Sequence, residues 1–282
     1  MRQLDRQSLN WQIRDFIRRP KLDKRWKRFL YKRRLRKQTH IFNIVNAACK
    51  EQCKGRYLYA SPVGKDGKPW LKKIIERFGF DQFDYIIFAY DNIPFDEEIF
   101  QRCRIVHEEG LRWYFLKKYI TPSICSAYDY IFLWCDDIDI IDFDPYRFLE
   151  IMRTNNLQLA QPALTPDSYF TFDITLQHKK YAVGRYVDFV EIMVPIFTHE
   201  ALESFWNMIE PKINKWGWGY DSLARSACGY TNMGVIDCQP VKHIRPIGQK
   251  HSNIEREMDR EYIMNKYVVY QPAKKVSYGA LR

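Results

Sequence analysis

Two stretches of the chain are apolar almost without interruption and then turn acidic: "FDYIIFAYDN" over residues 83–92 and "YDYIFLWCDD" over 128–137. Short runs of this kind, rich in aromatic and β-branched residues and without polar alternation, are the pattern of parallel strands covered on both faces. "IFNIVNAA" from Ile41 reads the same way, and "LQLAQPAL" and "MGVIDCQPVKHIRPIG" predict further strands, the latter the last one, ending in a basic turn. Between them lie helical signals. "WLKKIIERFGF" is stopped by Gly79, "LRWYFLKKYITP" is ended by Pro122, and Asp144-Pro145 supplies an N-cap and first helical position for "YRFLEIMRTNN" with its Asn C-cap. Thr198 caps a helix in which Leu202, Phe205, Trp206 and Ile209 fall at i, i+3, i+4 and i+7. "GRYLYASPVGKDGKPW", punctuated by Gly and Pro, reads as a loop or irregular segment, and the region 167–198 as a chain of β-prone pieces. Strands alternating with helices predict an α/β sandwich with a largely parallel sheet.

In such sheets ligands bind at the carboxyl ends of the strands, where both acidic turns lie. Asp136, Asp137, Asp139, Asp142 and Asp144 crowd into nine positions. Carboxylates so close are either solvated or held near a cation. Asp144 is accounted for as a cap and Asp142 is ambiguous. Asp136, Asp137 and Asp139 remain, suited to a divalent cation such as Mn²⁺ or Mg²⁺ that would in turn bind phosphate oxygens. A second acidic station is "WGWGYDSL" over 216–223, where glycines beside Trp216 and Trp218 let backbone approach a flat ligand and the indoles suit the apolar faces of sugars. Asp221 opens a helix there, as an N-cap or as a general base aimed into a cleft.

Composition narrows the class. With 282 residues and 46% hydrophobic content the chain can bury a full core. It shows neither the apolar run of a membrane span nor a secretory leader, so a soluble, cytoplasmic protein is expected. Seven cysteines at irregular spacing fit reduced thiols, Cys49 and Cys53 included. Residues 1–40 hold 15 Lys/Arg against 3 Asp/Glu, leaving 30 against 31 for residues 41–282. The basicity belongs to an arm that carries Trp26, Phe29 and Leu30 and is expected to be helical. It reads as a solvated helix docked on the body, a peripheral contact with a membrane surface or partner, or, less in keeping with the nearly neutral body, a nucleic-acid binder.

The segments "FDYIIFAYDN", "GLRWYFLKKYITP", "YDYIFLW", "LQLAQPAL", "DFVEIMVPIF", "FWNMIE", "KWGWGYD" and "MGVIDCQPVKHIRPIG" resemble, in this order over roughly residues 41 to 250, a family of plants and bacteria. Its plant members carry the label "lysine-ketoglutarate reductase trans-splicing related" (domain of unknown function 707). The label fits no residue here. The family is similar to nucleotide-sugar glycosyltransferases of the GT-A fold. The resemblance implies one GT-A-like domain over 41–282, Rossmann-like, with a mixed, mainly parallel sheet sandwiched by helices, after the basic arm 1–40. It implies a DxD metal motif after the central strand, although the first of the family's three acidic positions is Cys135 here.

On that resemblance Asp137, with Asp139 and His243, is the expected ligand set for Mn²⁺ or Mg²⁺. Asp136 stands near the ribose or behind the metal ligands. From their positions at the ends of the first two expected strands, Asn46 and Asp91 would contact uracil and ribose, while Arg112 and Lys117 either are solvated helix charges or reach the diphosphate. "WGWGYD" also resembles the "WGWGGE" acceptor loop of β-1,4-galactosyltransferases, which makes Asp221 the catalytic base. Trp216 and Trp218 would shape the acceptor or sugar site, and Glu191, flanked by apolar residues in an expected strand, would need a partner if buried and is assigned to acceptor hydroxyls. The expected activity is transfer of a hexose or xylose from a nucleotide diphosphate, UDP above others, to a glycan hydroxyl with inversion. The competing readings are an inactive carbohydrate-binding protein of the same fold and a metal-dependent nuclease or phosphohydrolase.

Overall fold

The two apolar runs that turn acidic lie on either side of a strand made from residues expected to form a loop. The computed structural model describes residues 55–246 and 253–282. The basic arm, the strand expected at Ile41, Asn46, Cys49 and Cys53 lie outside the described residues. Along the chain run β1 (Tyr57–Val63), α1 (Lys68–Phe78), β2 (Phe83–Ala89), β3 (Arg104–His107), α2 (Arg112–Tyr119), α3 (Pro122–Cys125), β4 (Tyr130–Leu133), β5 (Ile138–Asp139) and α4 (Pro145–Thr154). There follow β6 (Leu159–Leu164), β7 (Arg185–Val187), β8 (Ile196–Thr198), α5 (His199–Met208), α6 (Tyr220–Ala227), β9 (Met233–His243), α7 (Asn253–Lys266) and β10 (Ser277–Ala280).

The sheet order is β10-β7-β9-β6-β8-β4-β1-β2-β3, with β5 paired to β9 off that path. β1 is parallel to both β2 and β4, and β2 to β3. β8 runs antiparallel between β4 and β6, β6 and β9 are parallel, and the β7 and β10 edge is antiparallel. The sheet is therefore mixed: β3, β2, β1, β4, β6 and β9 run one way and β8, between β4 and β6, runs the other. From β1 the chain winds outward to β3 and then returns to β4 on the other side of β1. The carboxyl ends of β1 and β4 thus flank a topological switch point, the crevice where α/β sheets take ligands.

Burial explains the uninterrupted apolar runs. Tyr57, Tyr59, Phe83, Tyr85, Ile87, Tyr130 and Phe132 enter one core with α1 and α4, while Leu58, Ala60, Ile86, Phe88, Ile131 and Leu133 enter a second core with α2, α5 and α6. Alternate residues point to opposite faces, so a strand covered on both must be apolar throughout.

The helix ends follow the expected chemistry. Asp144 accepts from the Tyr146 and Arg147 amides, Thr198 from Ala201, and Gly79 closes α1 at φ 73°. Pro122 does more than end a helix, for it is the first residue of α3, capped by Thr121. β1 departs from expectation because Ser61 and Pro62 sit at its buried carboxyl end, where the punctuation that suggested a loop marks only the exit. The β-prone region 167–198 yields only β7, β8 and a 3₁₀ turn at Asp173–Thr175, and β9 is followed by α7 and β10 instead of being the last strand. Among the described residues no helix is long and apolar enough to cross a membrane, and Cys103, Cys125, Cys135, Cys228 and Cys238 are free thiols.

Candidate functional site

The acidic turn after β4 meets the end of β9 through a two-residue ladder. β5 pairs antiparallel with β9, Ile138 opposite His243 and Asp139 opposite Lys242. This register sets the Asp137 carboxylate against the His243 ring, Oδ2 3.1 Å from Nε2. The other ring nitrogen, Nδ1, lies 2.8 Å from the Tyr169 carbonyl, and Tyr169 N–H donates back to the His243 carbonyl. A proton on Nδ1 held by that carbonyl leaves Nε2 aimed at Asp137. Burial pushes the imidazole's pKa down, but the Asp137 hydrogen bond and charge and the Tyr169 carbonyl outweigh it and the net direction is up.

Asp136, one residue earlier, points toward β1 and β2. Its Oδ2 accepts from Gly64 N–H at 3.0 Å and Tyr90 O–H at 3.1 Å, and its Oδ1 from Arg245 at 3.0 Å. A Cβ on Gly67 would overlap this carboxylate, so the 64–67 loop closes onto it only because position 67 is glycine. Burial raises the Asp136 carboxyl, opposed by the Gly64 amide and the Arg245 charge. Arg245 also brings Nε within 3.7 Å of Asp137 Oδ2. Asp91, beside Tyr90, accepts from the Lys65 amide at 2.8 Å and so braces the same loop.

Cys135 takes no part in this group. Its thiol, pushed up to about 12 by burial, accepts from Arg112, whose guanidinium also donates to the carbonyls of Leu133 and Ile192. Arg112 thus staples the end of β4 to the segment before β8. Asp139 is ion-paired with Lys73 of α1, apart from the His243 pair. Lys117 is half-buried on α2, donating to the Trp206 carbonyl at 2.8 Å with its ammonium 3.5 Å from the center of the Trp206 ring.

Two further carboxylates are buried behind this group. Glu191 is 7% exposed, its Oε2 has no partner, and its backbone amide donates to Gln161. Burial, with the Asp221 charge adding to it and His243 opposing, pushes its carboxyl up to about 8. Asp221, also 7% exposed, is raised to about 6 by burial against the opposing Ser222 amide, Lys275 and Arg260. It lies in the first turn of α6 and accepts from Ser222 N–H at 2.7 Å, while Gly219, at φ 95°, occupies the N-cap. The WGWG loop is anchored through its backbone. Trp113 Nε1–H donates to the Trp216 carbonyl, Asn214 to that of Trp218, and Arg256 of α7 lies over both indoles, 4.8 and 5.7 Å from the ring centers.

The fold therefore gathers Asp136, Asp137, His243 and Asp91 around the switch point and links Glu191 and Asp221 electrostatically. It sends Asp139, Arg112 and Lys117 to other work, and Asn46 lies outside the described residues. Arg245 and Tyr90 were not anticipated. Arg245 lies two residues beyond His243 in "KHIRP", a spacing that keeps both side chains on one side of an extended chain.

A cation fits here. Asp137 Oδ1 is buried with no partner, and the 3.1 Å between Oδ2 and Nε2 is close to the edge of an octahedron with bonds of about 2.1 Å. Among the described residues no group of three or more His, Cys, Asp and Glu side chains gathers for a metal, so the protein would supply Asp137 and His243 and leave the other positions to ligand and water.

Comparison with known proteins bears on the fold. The family model described as "Protein of unknown function (DUF707)" matches residues 32–275. No curated protein matches the sequence. The structure of GalNAc-T7 with UDP, GalNAc and Mn²⁺ is similar over 75% of this chain and 48% of that one, at 9% identity and TM-score 0.53. That of TarS from S. aureus is similar over 76% and 39%, at 8% identity and TM-score 0.50. The chain thus spans less than half of either relative, and the shared feature is the GT-A glycosyltransferase fold.

Proposed function

The chain belongs to the family described as "Protein of unknown function (DUF707)", and from that premise we propose that it is a metal-dependent glycosyltransferase. It would move a sugar from a nucleoside diphosphate, UDP first among them, to a glycan hydroxyl with inversion. The observation that carries this reading is the Asp137–His243 pair at the switch point, with Asp137 Oδ1 unpartnered beside it. The fold shared with GalNAc-T7, which was solved with UDP and Mn²⁺, supports the choice of nucleotide and cation.

Asp137 and His243 would hold the divalent cation, Mn²⁺ or Mg²⁺. When bound, it supplies positive charge against the leaving diphosphate. Arg245 adds a fixed cation on the same side, held by Asp136. The Gly64–Gly67 loop, Tyr90 and Asp91 line the approach to the nucleoside. Asp221, raised to about 6, is a carboxylate at neutral pH yet basic enough to take the proton of an attacking hydroxyl. Glu191, raised to about 8, is protonated there and can donate a hydrogen bond from its unpartnered oxygen. Two buried carboxyls pushed to different values form the pattern of an acid–base site. Cys135 does not disturb it, because that position serves Arg112 and not the Asp137 pair.

Melting the protein with UDP, GDP, CMP and ADP, each with and without Mn²⁺, tests the reading, since a ligand that binds only the folded state raises the melting temperature. A rise with one nucleoside diphosphate that requires Mn²⁺ and is lost in Asp137→Ala is expected. No rise with any of them would sink the proposal.

A further inference from the structure

Tyr169 and Phe170 lie side by side at the surface, 49% and 39% exposed. Their loop is tied down at every step. Thr165 N–H donates to the Val241 carbonyl at 2.9 Å, and Ser168 N–H to the Thr165 carbonyl at the same distance. The Thr165 hydroxyl donates to Asp167 at 2.7 Å and lies 3.0 Å from Ser168 Oγ, which accepts from the His243 amide at 3.2 Å. Asp167 is in turn ion-paired with Lys242 at 2.7 Å. Tyr169 closes the series with its two backbone contacts to His243, 3.1 Å through its amide and 2.8 Å through its carbonyl. Further along, the Phe172 ring packs edge to face on Phe189, with ring centers 4.8 Å apart, and Phe189 lies in the same segment as Glu191. Tyr169 and Phe170 therefore cross from His243 toward the segment that bears Glu191.

None of these bonds uses the two exposed rings. Alanine at both positions would keep every amide, carbonyl and hydroxyl that holds the loop, and neither ring enters either core. The indoles of Trp216 and Trp218 differ in this respect, being half-buried with Arg256 over them. His243 fixes the side on which the loop lies. Its Nε2 faces Asp137 and its Nδ1 faces Tyr169, so the imidazole stands between the loop and the acidic turn, where Asp136 reaches Gly64 and Tyr90. The Gly64–Gly67 loop and the Tyr169 loop thus flank His243 from opposite sides.

We infer that Tyr169 and Phe170 form a platform for the acceptor, and that the acceptor is a β-linked chain of equatorially substituted pyranoses. The inference rests on the transferase reading proposed for the Asp137–His243 station, with the nucleoside on the Gly64–Gly67 flank and the other flank left to the acceptor. Such sugars hold their hydroxyls around the ring edge and leave C–H groups on the two faces, which suit the face of an aromatic side chain. A β-linked chain is flat and extended and can lie along neighboring rings, whereas an α-1,4-linked chain curls away. The platform is built at low cost in freedom, since Tyr and Phe have few side-chain torsions and the backbone beneath them is already fixed by His243 and Ser168. The Tyr169 hydroxyl adds a donor and acceptor for a sugar hydroxyl.

Saturation-transfer NMR on the full-length protein, with cellotetraose, xylotetraose and chitotetraose as probes and maltotetraose as the α-linked control, tests the inference. At least one β-linked tetraose is expected to bind, and the control is not. Tyr169→Ala combined with Phe170→Ala is expected to weaken that binding by about tenfold or more, the scale of one or two lost aromatic contacts. Tyr169→Phe and Phe170→Tyr are expected to retain it, which a merely structural role for the pair would not require. Should the double alanine variant fail to fold, Phe170→Leu, which keeps the bulk and removes the aromatic face, repeats the measurement. No β-linked tetraose bound by the parent, or equal affinity in the alanine variant, overturns the inference. If a nucleoside diphosphate with Mn²⁺ raises the melting temperature while no tetraose binds, the platform alone falls. If tetraose binding depends on the two rings while no nucleotide raises the melting temperature, the platform stands and the transferase reading falls.

Discussion

Asp137 Oδ2 and His243 Nε2 face each other at 3.1 Å across the β5–β9 ladder, and the second oxygen of the same carboxylate is buried with nothing to accept from. A carboxylate half satisfied by a histidine is a poor core feature and a good half of a cation site.

Asp137→Asn keeps the shape of the side chain and removes its charge. Its metal-free stability is expected to stay within about 1 kcal/mol of the parent, the net scale of one hydrogen bond. The increment from Mn²⁺ with nucleoside diphosphate is expected to vanish. At a ligand concentration about 100 times Kd that increment is roughly 2.7 kcal/mol, or about 5–10 °C in Tm for a domain of this size. Calorimetry of both proteins with and without Mn²⁺ measures it, and a persistent increment would remove Asp137 from the ligand set.

Asp221→Asn should bind donor as the parent does and lose kcat by about 10²–10⁴, the usual contribution of a positioned base. In the parent protein, activity should rise with pH through about 6 as the carboxyl ionizes. Steady-state rates across pH 5–9 check both points, and normal turnover in the variant would refute the assignment.

Glu191 makes a prediction of the opposite sign in stability. Its folded-state pKa, about 8, lies above its ordinary value, so its neutral form stabilizes the fold fully below about pH 4 and that stability is lost as pH rises through 8. Glu191→Gln removes the titration. The variant should therefore gain on the parent as pH rises from 5 to 9, by an amount on the order of 2–4 kcal/mol. Urea melts at the two pH values decide it, and a difference independent of pH would mean that Glu191 is solvated.

Gly217 stands at φ 77° with the Trp113 indole where a Cβ would go. Gly217→Ala combines a disfavored backbone with overpacking and should cost about 2–4 kcal/mol, a fall of roughly 5–15 °C in Tm. Thermal melting suffices. An alanine variant as stable as the parent would show that the WGWG loop is not braced by Trp113.

Much of this was written in the apolar pattern. β2 and β4 are legible because both faces are buried, and α1, α4 and α5 because their caps are explicit. β1 was hidden by Ser61 and Pro62, since only its neighbors β2 and β4 show that a polar residue and a proline can end a central strand. α7 and β10 gave no clear signal, as each buries little of itself. At the site, spacing alone could not separate Asp137 from Asp139. The difference is made by Lys73, 66 residues before Asp139, which claims one carboxylate and leaves the other to His243. Arg112 and Lys117 look equally available on a helix, and only their backbone carbonyl partners show that they are structural staples. Gly219 takes the capping position that Asp221 would otherwise have filled.

The β5–β9 ladder also sets when the site comes into being. Asp137 and His243 are 106 residues apart, and β9 is the central strand laid down last, between β6 and β7. Contacts that close so long a stretch form late, after the local helices and hairpins have paid the first entropy. A chain stalled before β9 docks has both residues and no station. Mn²⁺-dependent nucleotide affinity should therefore appear in refolding only with the final cooperative step, which would make the cation a reporter of completed folding.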